Sequence, residues 1–184
     1  FAPMTLENEK LLGRIAAGDN EAFKTLFGIF YPKVKVFLVK FLKDEVVAED
    51  ISQDIFVKIW SYRETLPDIR SFNTYIYRMT RNAALNHIRG GHRHIDISGI
   101  SILDEKDIEA EYFIKEKELL IRLAVEQMPP QRQRIFKMSR EQGLSNDDIA
   151  IRLGISKKTV ENNISIALKE LREVILAFMV FFLN

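Results

Sequence analysis

The sequence predicts an all-α protein of two small helical domains joined by a linker, with a helix-turn-helix in the second domain. Three features carry this prediction. Apolar residues recur at helical spacing along most of the chain, and no stretch alternates with the period of two that marks a strand. Glycine and proline are scarce, at 8 and 5 of 184 residues, which disfavours a strand-and-turn architecture. Hydrophobic residues make up 47% of the chain, enough for real cores.

The first predicted domain covers residues 4–91 and begins with three helices. The first helix ends at Gly18-Asp19-Asn20, which also cap the second. We expect Tyr31-Pro32 to break or kink the second helix before the pattern continues to Leu42. A third helix is predicted from Asp44 to Trp60, where apolar residues step by four: Val47, Ile51, Ile55 and Ile59.

A loop and a fourth helix complete the first domain. Residues 61–70 contain Pro67 and show no clear period, so we expect a loop there. Ser71 is placed to cap a helix from Phe72 to about Arg89, which Gly90-Gly91 ends. Residues 92–107 show only weak periodicity and are predicted to be the linker.

The second predicted domain covers residues 108–184 and contains the most specific motif. Helices are expected from Ile108 to Met128 and from Gln131 to Glu141. Two Ser-capped helices follow, the first at Asn146–Leu153 and the second beginning at Lys157. Ala150 in the first, Gly154 in the turn and Val160 in the second stand at relative positions zero, four and ten. That spacing is typical of a helix-turn-helix, in which a small residue lies where the helices cross and glycine supplies the left-handed turn.

The second helix of this motif has a polar leading face. Side chains there would contact phosphates and base edges in a major groove: Lys157, Lys158, Thr159, Glu161, Asn162 and Ser165. The alternative is an ordinary helical pair that only packs a core. We favour DNA binding, because both serine caps occur together with Ala150, Gly154 and Val160.

A basic and aromatic segment precedes the linker. Residues 69–95 contain five arginines and all three histidines but no acidic residue, whereas residues 96–118 contain eight acidic residues against three lysines. Aromatic rings interleaved with arginines and amides suit a single DNA strand, because rings stack on bases and arginines meet phosphates. A packed helix whose arginines face solvent explains the same pattern equally well. The net charge of +1 does not distinguish the two.

Composition argues against an enzyme and against a resident metal or cofactor. The chain has no cysteine, which removes disulfides and thiolate metal sites and fits a reducing, cytoplasmic compartment. Serine-nucleophile motifs and glycine-rich phosphate loops are absent. We expect His87, His92 and His94 to face solvent or DNA rather than a metal. The N-terminal residues mix charged and apolar types, so no secretory signal is expected.

Three segments, in this order, resemble the extracytoplasmic-function (ECF) sigma factors of the sigma-70 superfamily. The first is Ala48–Trp60, the second is Ser71–Arg89, and the third is Met128–Phe136 followed by the helix-turn-helix. The resemblance covers roughly residues 12–174. It implies that the chain binds core RNA polymerase and directs promoter-specific transcription, with promoter DNA and an anti-sigma factor as further partners and no small-molecule substrate.

The resemblance also implies roles for individual residues. The polymerase β′ clamp helices would be bound by Asp50, Gln53, Asp54, Phe56 and Trp60. The loop 62–70 would hold a flipped base, and the −10 element would be melted and bound by Arg70, Phe72, Asn73, Tyr75, Arg78, Arg81, Asn82, Asn86 and Arg89. The second domain would read the −35 element and contact the β flap. Tyr75 stands where the family usually has tryptophan, and Asn86 where it often has aspartate.

Two questions stay open at the level of sequence. A helix-turn-helix regulator that binds duplex DNA without joining polymerase is the alternative function, and copurification with core polymerase would discriminate. The uncharged run 174–183 would span only about 15 Å as a helix, too short to cross a bilayer of about 30 Å. Such a run must be covered, either by the chain's own domains or by a partner.

Overall fold

The computed structural model describes residues 6–90 and 110–182, and side chains within 9–90 and 113–182. All regular elements in these ranges are helical, which confirms the all-α fold class. The chain forms two compact units, the first within residues 1–108 and 177–184 and the second at 109–176. The predicted linker, 92–107, lies outside the described residues, as do His92 and His94.

The first unit contains four α-helices and one 3-10 helix. They are α1 (Leu6–Ala16), α2 (Asn20–Leu42), α3 (Glu45–Ser61), a 3-10 helix (Arg63–Asp68) and α4 (Phe72–Ile88). Side-chain caps fix three of the helix starts. The carboxylate of Asp19 accepts the amides of α2's first turn, Asp44 does so for α3, and the Ser71 hydroxyl accepts the amide of Thr74.

Of the two outcomes predicted at Tyr31-Pro32, a break or a kink, the break does not occur, because helix α2 continues through Pro32. Proline inside a helix removes one backbone hydrogen bond and costs about 3 kcal/mol. The apolar face of α2 offsets that cost, because it is buried on both sides of Pro32 by Leu26, Phe30, Val34, Phe37, Leu38 and Phe41. Continuity of the core therefore decides the local conformation.

The predicted loop at 61–70 is ordered as the 3-10 helix, which is a second difference from the sequence prediction. Leu66 and Ile69 are buried and anchor it to the core. The Arg63 guanidinium lies 4.8 Å from the centre of the Trp60 ring and donates to the Trp60 carbonyl oxygen at 3.1 Å. Two apolar anchors and one cation–π contact thus order a segment that has no helical period of its own.

The second unit contains the remaining described helices: α5 (Ala110–Glu126), α6 (Pro130–Arg140), α7 (Asn146–Leu153) and α8 (Lys157–Val180). Its helix-turn-helix core joins Ile135 and Met138 of α6 to Ile149 and Ala150 of α7 and Val160 of α8. An ion pair between Arg132 and Glu170 also ties α6 to α8. Residues 177–182, at the end of the chain, pack with the first unit.

Two glycine substitutions test the turn that joins α7 to α8. Gly154 has φ +63°, whereas Gly13 lies inside α1, and an added Cβ meets nothing within 4 Å at either site. We expect Gly154→Ala to lower the free energy of unfolding by about 1–2 kcal/mol through backbone strain alone. The control Gly13→Ala should raise it by about 0.5–1 kcal/mol. Denaturant titration of each variant measures both effects, and equal changes would contradict the left-handed turn.

Candidate functional site

The turn of the helix-turn-helix is closed by backbone hydrogen bonds and by a hydroxyl cap. Gly154 ends α7 in the left-handed conformation, and the Ile155 amide donates to the Ala150 carbonyl at 3.1 Å. The Ser156 hydroxyl then accepts the Thr159 amide at 3.1 Å, which fixes the start of α8. This geometry orients the first turn of α8 against α7, so that Val160 enters the shared core while Lys157 and Lys158 stay exposed.

The polar leading face of α8 is largely exposed. Lys157, Lys158, Asn162 and Ser165 are exposed, whereas Thr159 and Glu161 are half-buried. The Lys157 ammonium lies 2.8 Å from a carboxylate oxygen of Asp147, and this hydrogen bond raises the lysine pKa. Lys157 is thus tied to α7, and the Thr159 hydroxyl is engaged with Ser156. Lys158, Asn162 and Ser165 form the most accessible part of this face.

A basic cleft lies beside α7 in the second unit, and the sequence analysis did not single it out. The cleft has a volume of about 490 Å³ and is lined by Gln133, Arg134, Lys137, Met138, Gln142 and Arg152. Three of these six side chains are cationic. The only sequence signal is the spacing of Arg134 and Lys137, one helical turn apart on α6. Arg152 joins them through the fold alone.

Two aromatic rings predicted to meet single-stranded DNA are packed in the core of the first unit. Phe72 is 6% exposed and Tyr75 is 5% exposed. The Phe72 ring packs edge-on against Phe30, with centroids 4.9 Å apart, and burial raises the pKa of Tyr75. In this structure neither ring can stack on a base without leaving the core, so both serve as packing residues here.

The remaining members of the predicted strand-binding set lie at the surface. Arg70 and Arg89 are exposed, and five residues of α4 are half-buried: Asn73, Arg78, Arg81, Asn82 and Asn86. At 100° per residue, four of these five α4 residues fall within an arc of about 140° of the helix circumference: Arg78, Arg81, Asn82 and Asn86. The Arg81 guanidinium donates to the Asn82 side-chain oxygen at 3.0 and 3.2 Å. Since α4 carries no acidic residue, this arc is basic and rich in amides.

A smaller cleft adjoins the 3-10 helix, in the region expected to hold a flipped base. It has a volume of about 360 Å³ and is lined by Glu9, Leu12, Pro67, Asp68, Ile69 and Arg70. From the sequence, this role was predicted for residues 62–70 alone. The contribution of α1, through Glu9 and Leu12, has no local signal, because these residues are far from the loop along the chain.

The residues predicted to bind polymerase divide between the surface and the core of the first unit. Asp50 and Gln53 are exposed, Asp54 and Trp60 are half-buried, and Phe56 is only 3% exposed. Phe56 packs against Phe27 and Tyr31 of α2, at centroid distances of 4.8 and 5.7 Å. Phe56 therefore packs α3 against α2 in this structure.

Two exposed valines extend the surface of α3 that the sequence analysis assigned to polymerase. Val46 is 73% exposed and Val57 is 64% exposed. Together with Asp50 and Gln53 they fall within about 60° of the helix circumference at 100° per residue. We call these four residues the α3 stripe. Neither valine was among the residues predicted from the sequence to bind polymerase, although Val46 lies off the apolar row formed by Val47, Ile51, Ile55 and Ile59.

The described residues show neither a cluster suited to a metal nor a helix long and apolar enough to cross a membrane. No three His, Asp or Glu side chains among them converge as metal ligands. The last helix, α8, ends in an apolar run, yet no helix in the described ranges meets the length and hydropathy of a membrane span.

Two family models match the chain: "Sigma-70 region 2" at residues 26–94 and "Sigma-70, region 4" at 118–171. RNA polymerase sigma-H factor of Pseudomonas aeruginosa is 25% identical over 170 residues, covering 86% of this chain and 88% of that protein. ECF RNA polymerase sigma factor RpoE of Cereibacter sphaeroides is 25% identical over 160 residues, covering 84% and 87%. The match to a solved structure of CnrH in complex with the cytosolic domain of CnrY covers 92% of this chain and 97% of that one, at 22% identity and a TM-score of 0.38.

Adjacent substitutions on α3 test the division between core and surface. We expect Phe56→Ala to lower the free energy of unfolding by about 3–5 kcal/mol, because it removes a buried ring. Val57→Ala should change it by no more than about 0.5 kcal/mol, since Val57 is exposed. Urea unfolding of the two variants provides the measurement. Similar losses in both would show that the orientation of α3 is wrong.

Proposed function

The chain belongs to the ECF subfamily of sigma-70 RNA polymerase sigma factors, and from that membership we propose how its two units share promoter recognition. As a sigma factor it binds core RNA polymerase and directs transcription initiation at promoters. The proposal assigns polymerase binding and strand opening to the first unit and recognition of the −35 element to the second.

Recognition of the −35 element is assigned to the first turns of α8. The observation that carries this assignment is the exposed face of Lys158, Asn162 and Ser165 on a helix whose angle is fixed by α7. Asparagine can form a bidentate pair with adenine, and lysine with guanine or a phosphate. Lys157, Thr159 and Glu161 border this face and would contact the backbone or neighbouring bases.

The basic cleft beside α7 suits a DNA phosphate. Arg134, Lys137 and Arg152 supply three positive charges at the edge of the helix-turn-helix. Contacts to phosphates fix the register of a protein on duplex DNA without specifying sequence. We therefore assign the cleft to positioning and the leading face of α8 to specificity.

Core polymerase binding is assigned to the α3 stripe. Its exposed acid and amide lie between two exposed valines, a mixture that suits a basic and partly apolar partner surface. The β′ clamp helices of polymerase are the proposed partner. Asp54 and Trp60, which are half-buried, border this surface, while Phe56 supports it from the core. The β flap is the proposed contact of the second unit.

Strand opening at the −10 element is assigned to the basic arc of α4 and to the cleft beside Arg70. Arg78, Arg81 and Arg89 can meet the phosphates of a single strand, and Asn82 and Asn86 can pair with base edges. A cleft of about 360 Å³ has room for one extruded base. Phe72 and Tyr75 would support this surface from beneath, as core residues.

Further properties follow from the function. Polymerase and promoter DNA place the site of action in the cytoplasm. Sigma factors are regulatory subunits rather than catalysts, so we expect neither enzymatic activity nor a cofactor. ECF sigma factors are commonly restrained by an anti-sigma protein, and we propose one as a further partner of this chain.

Alanine substitutions on α8 test the −35 assignment. We expect Lys158→Ala and Asn162→Ala each to weaken binding of polymerase holoenzyme to a −35 duplex by about 1–3 kcal/mol. The control is Lys169→Ala, which removes the same charge from an exposed position three turns further along α8. Fluorescence anisotropy of labelled duplex measures the affinities. If Lys169→Ala costs as much as Lys158→Ala, only bulk charge matters and the assignment fails.

Charge reversal on α3 tests the polymerase assignment. We expect Asp50→Lys to weaken core polymerase binding at least about tenfold, because it sets like charges together across the interface. Glu45→Lys is the control, since Glu45 is exposed on the same helix about 140° away from Asp50. Both variants should unfold within about 0.5 kcal/mol of the parent. Equal polymerase affinity for the two variants would remove the α3 stripe from the interface.

A further inference from the structure

Trp60 places a large apolar side chain beside the C-terminal end of the α3 stripe. It is half-buried and is the penultimate residue of α3. At 100° per residue, Trp60 lies only about 20° around the helix from Gln53, and it follows Val57 by about one turn. Tryptophan is enriched among the residues that contribute most to protein–protein interfaces. The accessible part of this ring therefore suits an anchor for the surface proposed to bind polymerase.

Two neighbours from other elements of the first unit contact the Trp60 ring. The Phe23 ring of α2 lies with its centroid 4.9 Å away, at 55° between the ring planes. The guanidinium of Arg63, the first residue of the 3-10 helix, lies over the ring at 4.8 Å from its centroid. Its Nη1 also donates to the Trp60 carbonyl oxygen at 3.1 Å. Arg63 thus contacts both the backbone and the ring of the same residue.

The burial of Arg63 leaves one donor unsatisfied. Its Nε is buried, and no side chain or backbone group in the described part of the chain accepts a hydrogen bond from it. A buried donor without an acceptor destabilises a folded protein. To cap the end of α3, arginine needs only the bond from Nη1 to the Trp60 carbonyl. Fold stability alone therefore does not explain why the guanidinium lies over the ring.

Restraint of the Trp60 ring in the free chain favours binding. A side chain that is mobile in the unbound protein loses rotamer freedom when it enters an interface, and that loss weakens the affinity. A cation over an aromatic face restrains the ring before any partner arrives. Arg63 and Phe23 together give Trp60 a defined pose, and only the arginine contributes the charge.

We propose that Arg63 is a positioning residue for polymerase binding, because its guanidinium fixes the Trp60 ring in the pose that packs against core polymerase. This inference rests on the proposed function, which assigns the α3 stripe and its border to the β′ clamp helices. It gives the 3-10 helix a second role, since the family resemblance places residues 62–70 at the −10 element. Arg63 acts through Trp60 and makes no contact of its own with polymerase.

Fluorescence of the free chain measures the restraint, because Trp60 is its single tryptophan. We expect Arg63→Gln to raise the acrylamide quenching constant about twofold, since the neutral amide no longer holds the ring. Arg63→Lys keeps a cation and should fall between the parent and Arg63→Gln. Glu64→Gln is the control, because it changes an exposed neighbour on the same 3-10 helix and should leave quenching unchanged. Equal quenching in Arg63→Gln and the parent would overturn the proposal.

A double-mutant cycle separates positioning from direct contact. We expect Arg63→Gln to weaken core polymerase binding about threefold to tenfold in the parent chain. In a chain that carries Trp60→Ala, the same change should have no further effect. Competition with dye-labelled parent chain measures the affinities. An equal loss on both backgrounds would show that Arg63 contacts polymerase itself, and an unchanged affinity of Arg63→Gln would show that the ring needs no restraint. Either result overturns the proposal.

Asp50→Lys in the same competition assay distinguishes failure of this proposal from failure of the proposed function. If Asp50→Lys weakens binding and Trp60→Ala does not, the α3 stripe binds polymerase without Trp60, and only the role of Arg63 is overturned. If both variants bind as tightly as the parent, the polymerase assignment of α3 is wrong, and the role of Arg63 is overturned with it.

Discussion

Burial of one face of α2 is the interaction on which the first unit depends. Helices α1, α3 and α4 all pack against α2, and its buried residues run from Ala22 to Phe41. This face keeps the helix continuous through Pro32 and holds the Phe72 ring of α4 through Phe30. The more exposed Phe27 ring of the same helix contacts Phe56 of α3. Because both helices turn their rings inward, the polar side chains of α3 and α4 are left at the surface for partners.

In the second unit, the corresponding constraint is the crossing of α7 and α8. Ala150 and Val160 meet in a small core, and Gly154 allows the chain to reverse between the helices. The direction of α8 follows from these contacts, and its polar leading face follows from that direction. Sequence reasoning predicted this part residue by residue, because caps, a left-handed glycine and helical spacing are all local signals.

Contacts between residues far apart in the chain decide which side chains are buried, and the sequence alone did not predict these contacts. Phe56, Phe72 and Tyr75 lie within the family motifs, yet their burial depends on packing against other helices, which a motif does not describe. Val46 and Val57 are exposed on α3, and no motif residue among those predicted to bind polymerase pointed to them. The ring contact between Phe178 and Tyr77 joins positions about a hundred residues apart. The sequence predicted only that the uncharged run 174–183 must be covered, not which surface covers it.

The division of labour between the two units is the central claim, and directed cleavage of promoter DNA tests it most directly. Since the chain has no cysteine, an iron chelate can be attached through Ser165→Cys on α8 or Asn82→Cys on α4 and used to cut DNA within polymerase holoenzyme. The account predicts cuts around the −35 element from position 165 and within the melted −10 region from position 82. Cuts at one common position from both sites, or a reversal of the two, would contradict it.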